Sequence, residues 1–144
     1  MANIEGVVVT PLKIIADERG SVMHVLRSDA PYFKQFGEVY ISTINPGVVK
    51  GWKRHSRSTS NMAVPIGKMK FVLRDTRPDS PTFDVVQEVE LGEDAYQLLT
   101  VPPGVVYGWK SLTDRIAYVI NCASELWAPD ESQNLPLETY GYSW

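Results

Sequence analysis

The sequence predicts an all-β protein that is closed, or nearly closed, into a barrel. Apolar and polar residues alternate with a period of two over most of the chain, which is the pattern of strands with one buried face. The apolar runs recur about every 8–12 residues with Gly and Pro between them, and this spacing is typical of sandwiches and barrels. Because 144 residues suffice for one buried core, we expect a single domain spanning 1–144.

The strands are predicted as short runs that end at turn residues. Gly20 closes an Asp-Glu-Arg-Gly turn and can adopt positive φ. Asn-Pro-Gly at 45–47 and Pro-Pro-Gly at 102–104 mark sharper corners. Segment 125–144 contains Pro and Gly but no period, so it is predicted as an irregular tail. The predicted strands are 7–10, 13–16, 21–26, 38–44, 48–57, 61–66, 68–74, 83–91, 96–101, 105–109 and 115–123.

Composition and charge exclude several classes of function. The net charge is −3, which does not favour a nucleic-acid-binding protein. The single cysteine, Cys122, cannot form a disulfide within the chain. No apolar run approaches the roughly 20 residues of a membrane span, and we see no signal-peptide pattern. We therefore expect a cytoplasmic protein with no nucleic-acid or membrane partner.

The most unusual segment is 48–57, which holds one of the two histidines, four cationic side chains and a tryptophan. Read as a strand, it places Lys53 and His55 on one face. That face is either solvated surface or the wall of an anion-binding cavity. A β-bulge would change which of these side chains points inward. The opposite face receives Lys50, Trp52 and Arg54.

The chemistry-bearing residues favour proton transfer over other mechanisms. No Gly-x-Ser-x-Gly elbow occurs, and no phosphate loop or dinucleotide fingerprint is present, so no cofactor is predicted. At 53–55 the chain has Lys-Arg-His, whereas a metal-binding barrel of this type has two histidines two residues apart. No histidine follows later in the sequence. We therefore predict no metal site. Imidazole suits a general base near neutral pH, and a lysine can hold a phosphate or stabilise an enolate. The candidate phenolic acids are Tyr40, Tyr96, Tyr107 and Tyr118.

Several short motifs follow one another in a distinctive order along the chain. They are Asp-Glu-Arg-Gly (17–20), Gly-Val-Val-Lys-Gly-Trp (47–52), Arg-Asp-Thr-Arg (74–77), Ser-Pro-Thr-Phe (80–83), Gln-Leu-Leu-Thr-Val-Pro-Pro-Gly (97–104), Tyr-Gly-Trp (107–109) and Trp-Ala-Pro (127–129). Their order resembles that of the dTDP-4-dehydrorhamnose 3,5-epimerase family, a cupin (double-stranded β-helix, jelly-roll) group of deoxysugar biosynthesis. The resemblance extends from about residue 10 to 130 and thus over nearly the whole chain.

The resemblance implies metal-independent epimerisation or isomerisation of a nucleotide-diphospho-4-keto-6-deoxy sugar, as in rhamnose or surface-polysaccharide biosynthesis. In the family a histidine usually removes the proton and a tyrosine returns one. Lys53 stands where that histidine is expected, with His55 two residues further on. Tyr107 occupies the position of a second histidine in the family pattern, and Trp127 occupies the position of the family's tyrosine. We expect His55 as the base, assisted by Lys53, with Tyr107 as the proton partner.

The resemblance also implies a ligand-binding set and an assembly. Guanidinium and ammonium groups suit a pyrophosphate. A homodimer is implied, in which N-terminal strands within 1–16, such as 7–10, are exchanged. Because the usual histidine–tyrosine pair is lost, the alternative is a non-catalytic sugar-nucleotide-binding protein. The expected substrate contacts are Arg19, Lys50, Arg54, Arg74, Trp52 and Trp127, with Trp109 a further candidate for stacking.

Overall fold

The computed structural model describes residues 3–144, and strands dominate that part of the chain. Most of them coincide with the runs of alternating apolar residues in the sequence. The strands are β1 (Val8–Pro11), β2 (Ile14–Asp17), β3 (Gly20–Met23), β4 (Glu38–Ile44), β5 (Val49–His55), β6 (Ser60–Ile66), β7 (Lys68–Asp75), β8 (Val86–Gly92), β9 (Gln97–Val101), β10 (Val105–Ser111), β11 (Ala117–Ala123) and β12 (Ser132–Asn134).

Two five-stranded antiparallel sheets form the body of the molecule. One has the order β1-β9-β6-β11-β4 and the other β12-β5-β10-β7-β8. A separate hairpin consists of β2 and β3. The predicted all-β, jelly-roll architecture is confirmed. No helix among residues 3–144 is long and apolar enough to cross a membrane.

The main core lies between the two sheets. In β7, Met69, Phe71 and Leu73 are fully buried, as expected for alternate residues of a strand with one core face. Leu99 and Val101 of β9 join them from the other sheet. This apolar packing leaves the space beside β4 and β5 for polar side chains.

The C-terminal segment covers the outer face of the second sheet. β12 pairs with β5, and a 3-10 helix follows at Leu137–Tyr140. Trp52 lies beneath this segment, with Tyr140 and Trp144 among its aromatic neighbours. The sequence predicts an irregular tail here because these elements are too short to show a period.

The hairpin β2–β3 is the most exposed strand pair. Ile14, Ile15 and Val22 expose 45–60% of their surface. By contrast, β1 pairs with β9 of its own chain, so segment 7–10, which we expected to be exchanged between subunits, already has a partner strand within one chain. Residues 1 and 2 of the predicted exchange segment lie outside the described residues.

Candidate active site

A cavity of about 230 Å³ lies between the sheets, beside β4 and β5; we call it the inner cavity. Its lining comes from both sheets and includes amine, phenol, hydroxyl and amide groups. The lining residues are Tyr40 and Ser42 of β4, Lys50, Gly51 and Lys53 of β5, Tyr107, Gly108 and Trp109 of β10, and Asn134 of β12.

A β-bulge in β5 brings two lysines into this cavity. Tyr107 is paired with Lys53 and Trp109 with Lys50, so three steps along β5 match two along β10. The extra residue changes the alternation of side chains. Lys50 therefore lines the same cavity as Lys53, which corrects the expectation that the two face opposite sides. The Lys50 ammonium donates to the Thr43 carbonyl at 2.8 Å.

His55 forms a buried pair with Glu131, and both side chains are more than nine-tenths buried. Their Nδ1 and Oε1 atoms are 2.8 Å apart. The second carboxylate oxygen accepts from the backbone N–H groups of Arg57 at 3.1 Å and Ser58 at 2.9 Å. Burial acts to raise the pKa of Glu131, but the hydrogen bonds from His55 and the two N–H groups outweigh it, so this pKa is lowered. The carboxylate is held ionised at the end of β5.

The other imidazole nitrogen of His55 does not reach the inner cavity. Nε2 is buried and has no hydrogen-bond partner among residues 3–144. The ring stacks beside Tyr107, with ring centroids 6.3 Å apart and an interplanar angle of 24°. His55 therefore lies beside Tyr107 and is not among the residues that line the inner cavity, whereas Lys53 is.

Two phenols border the inner cavity from different sheets. Burial raises the pKa of Tyr107 well above its ordinary range. Burial, followed by the nearby charge of Glu38, also raises the pKa of Tyr40. The Tyr40 Oη accepts a hydrogen bond from the Asn121 amide at 3.0 Å. Both phenols consequently keep their protons at neutral pH.

Apart from Lys50 and Trp109, the substrate contacts expected from the sequence do not line the inner cavity. Trp52 is 2% exposed and donates to the Leu137 carbonyl at 3.0 Å. Arg54 points to the outer side and binds Thr76 and Gln133 side chains, beside a larger outer groove of about 700 Å³. The others are Arg74, paired with Asp84 at 2.7 Å, Arg19, paired with Asp17 at 2.6 Å on the hairpin, and Trp127, which is 64% exposed.

Glu131 is the functional candidate that the sequence analysis missed. It lies in segment 125–144, where no periodicity predicts a strand. Its position follows from the pairing of β12 with β5, which sets Ser132 opposite His55. A carboxylate next to a short strand in an acidic tail gives no sequence signal of its own.

The fold and the inner cavity define a cupin-type barrel that presents amine, phenol and amide groups to a small molecule. No group of three or more His, Cys, Asp or Glu side chains is placed to hold a metal ion within residues 3–144. The chain belongs to the dTDP-4-dehydrorhamnose 3,5-epimerase family, whose model matches residues 1–141. The resemblance seen in the sequence is thereby confirmed.

Individual relatives match over most of their length. The chain is 31% identical over 145 residues to the spore coat polysaccharide biosynthesis protein SpsL of Bacillus subtilis, covering 98% of this chain and 96% of that protein. It is 33% identical over 138 residues to the probable low-salt glycan biosynthesis epimerase Agl13 of Haloferax volcanii, covering 92% and 88%. The crystal structure of a dTDP sugar isomerase from Desulfovibrio desulfuricans superposes with a TM-score of 0.94 at 42% identity, covering 98% of this chain and 92% of that one.

Proposed function

We propose that this protein epimerises a dTDP-4-keto-6-deoxy sugar in deoxysugar or polysaccharide biosynthesis. The observation that carries the proposal is the inner cavity, lined by Lys53 and two tyrosines, in a chain that matches the epimerase family over residues 1–141. Two relatives are named for polysaccharide or glycan biosynthesis, and a third is a dTDP sugar isomerase. These names favour an enzyme over the non-catalytic alternative.

We propose Lys53 as the base. A 4-keto group acidifies the adjacent C–H bonds, and a neutral amine can take such a proton. The resulting ammonium then stabilises the enolate oxygen electrostatically. His55 is less suited to this contact, because its free nitrogen is buried and its side chain does not line the inner cavity. Its pairing with Glu131 gives it a supporting role at the end of β5.

The same geometry suggests how the ligand's diphosphate is held. Lys50 lines the inner cavity together with Lys53, and its ammonium contacts a backbone carbonyl but no carboxylate in the ion pairs of residues 3–144. A lysine is a compact point charge that suits a phosphate oxygen. We propose Lys50 as the phosphate contact supplied by this chain.

The proposed reaction is tested by proton NMR of dTDP-4-keto-6-deoxyglucose in D₂O, with and without the protein. We expect enzyme-dependent replacement of the C3 or C5 proton by deuterium, because the base exchanges its proton with solvent. The exchanged position identifies the carbon. Broadened ligand lines without exchange would support the binding protein instead, and a spectrum without either effect would reject the ligand.

We also propose that the protein is a cytoplasmic homodimer in which the β2–β3 hairpin packs on a second copy. The hairpin exposes Ile15 and Val22. Strand β4 ends its sheet and exposes Val39 and Ile41. An unpaired strand edge beside an apolar face is a site for strand addition.

Assembly is tested by sedimentation velocity at micromolar protein concentration. We expect the wild type to sediment as a dimer and the Ile15→Glu variant as a monomer, because a buried unpaired carboxylate opposes association. Leu112→Glu, at an exposed site after β10, is the matched control and should remain dimeric. A monomeric wild type would reject the dimer.

A further inference from the structure

Inversion at a carbon centre requires a proton to leave from one face and another to arrive at the opposite face. The inner cavity has walls from two different sheets that meet this requirement. Lys53 of β5 lies on one wall, and Tyr40 of β4 comes from the other sheet. Building on the proposed function, we infer that Tyr40 is the acid that returns the proton to the substrate carbon, opposite Lys53.

The environment of Tyr40 fits a proton donor. Its side chain is half-buried and lines the cavity. Asn121, its cross-strand partner on β11, is 2% exposed and donates from Nδ2 to the Tyr40 Oη at 3.0 Å. A phenolic oxygen that accepts this bond keeps its own O–H available for another acceptor. The amide thus holds the Tyr40 oxygen in place without using its O–H proton.

Tyr107, the proton partner expected from the sequence, comes from the same sheet as Lys53. It is directly paired with Lys53 on the adjacent strand, and paired residues project to the same face of a sheet. Tyr107 is also only 2% exposed and is packed between His55 and Trp109, with ring centroids 6.3 and 5.6 Å away. Tyr107 is therefore the more enclosed of the two phenols and comes from the same sheet as the proposed base.

Lys53 and Tyr40 each move one proton in the proposed inversion. Lys53, after giving its own proton to solvent, takes the C–H proton, and the C–H electron pair forms a carbon–carbon double bond while the keto π electrons move onto oxygen. The enolate then collapses back to the ketone, and the same carbon takes the O–H proton of Tyr40 on its other face. Lys53 ends as an ammonium and Tyr40 as a phenolate. Exchange with solvent resets both groups, since no oxidant or reductant takes part.

Proton NMR distinguishes inversion at the substrate carbon from deuterium exchange at that carbon, and loss of Tyr40 should affect the two differently. In Tyr40→Phe, we expect formation of the inverted product to fall by about 10²-fold, the effect of removing a general acid. Deuterium exchange at the same carbon should remain within about threefold of wild type, because Lys53 can remove a proton and return a deuteron from its own side. Exchange with retained configuration is the signature, read from the ring-proton couplings and the loss of the C–H signal.

Two further variants make the result decisive. Tyr118→Phe removes a phenol from the outer side of β11, where Tyr118 is 37% exposed, and should invert substrate at the wild-type rate. Tyr107→Phe tests the competing acid. Unchanged inversion in Tyr40→Phe, or inversion lost with exchange retained in Tyr107→Phe alone, would overturn the inference. Wild-type protein that shows no exchange would instead reject the proposed function.

Discussion

Replacement of Lys53 with methionine is expected to lower the rate of substrate deuteration by about 10³-fold, the combined effect of losing a base and a charge at the enolate. Methionine has a similar length but no amine. The measurement is the initial rate of C–H signal loss by proton NMR in D₂O at saturating substrate. The Lys53→Arg variant should exchange the substrate proton equally slowly, because a guanidinium keeps its proton. The affinity of this variant for the dTDP-sugar should stay near that of wild type.

Lys110→Met is the matched control for this experiment. Lys110 lies one residue after Trp109 on β10 and donates from Nζ to the Trp144 carbonyl at 3.3 Å, away from the inner cavity. Its loss should leave the exchange rate unchanged. If Lys53→Met exchanges at the wild-type rate and a folded His55→Asn variant does not, the base is His55 and our assignment of Lys53 is wrong.

Period-two alternation was enough to predict most of the strands and a closed, or nearly closed, all-β architecture. The prediction succeeds because alternate residues of a strand face the core, as Met69, Phe71 and Leu73 of β7 do, and those positions are apolar in the sequence. The resemblance to the family added the cupin (jelly-roll) class. Neither source predicts which side chains face the inner cavity where the alternation is interrupted.

The β5 bulge shows why the site was harder to predict than the fold. One extra residue between Lys50 and Lys53 reverses the facing of Lys50 without changing the local sequence pattern. The pairing of His55 with Glu131 depends on β12, a strand of three residues, and is separated by 76 positions in sequence. The placement of Tyr40 and Lys53 around one cavity depends on how the two sheets face each other. These are tertiary relations that local pattern does not encode.

Removal of the Asp75 carboxylate is expected to have the largest effect on stability. The side chain at the end of β7 is fully buried. It accepts from Arg77 through Nε at 2.9 Å and Nη2 at 3.0 Å, from Ser80 Oγ at 2.6 Å and from Thr82 Oγ1 at 2.7 Å. These bonds hold the 75–82 loop to the sheet.

Asp75→Asn should lower the free energy of unfolding by about 3–5 kcal/mol, because it leaves the Arg77 guanidinium without its buried partner. Urea titration followed by tryptophan fluorescence measures this difference. Asp84→Asn is the control: Asp84 is paired with Arg74, but its side chain is 59% exposed, so the loss should stay below about 1 kcal/mol. Equal losses in the two variants would contradict the role assigned to Asp75.

The Asp75 carboxylate should also make the free energy of unfolding depend on pH, with stability falling as the pH is lowered. Burial acts to raise the pKa of Asp75, but hydrogen bonds from Arg77, Ser80 and Thr82 outweigh it and hold this pKa well below its usual range. The folded state therefore binds this proton more weakly than the unfolded state, in which an aspartate titrates near pH ~3.9. The stabilisation is complete above about pH 5 and is lost as the pH falls through the folded-state value. The difference in unfolding free energy between wild type and Asp75→Asn should be constant from about pH 7 to 5 and shrink steadily below about pH 4. A difference that stays constant down to about pH 2 would mean that Asp75 is not held ionised by these bonds.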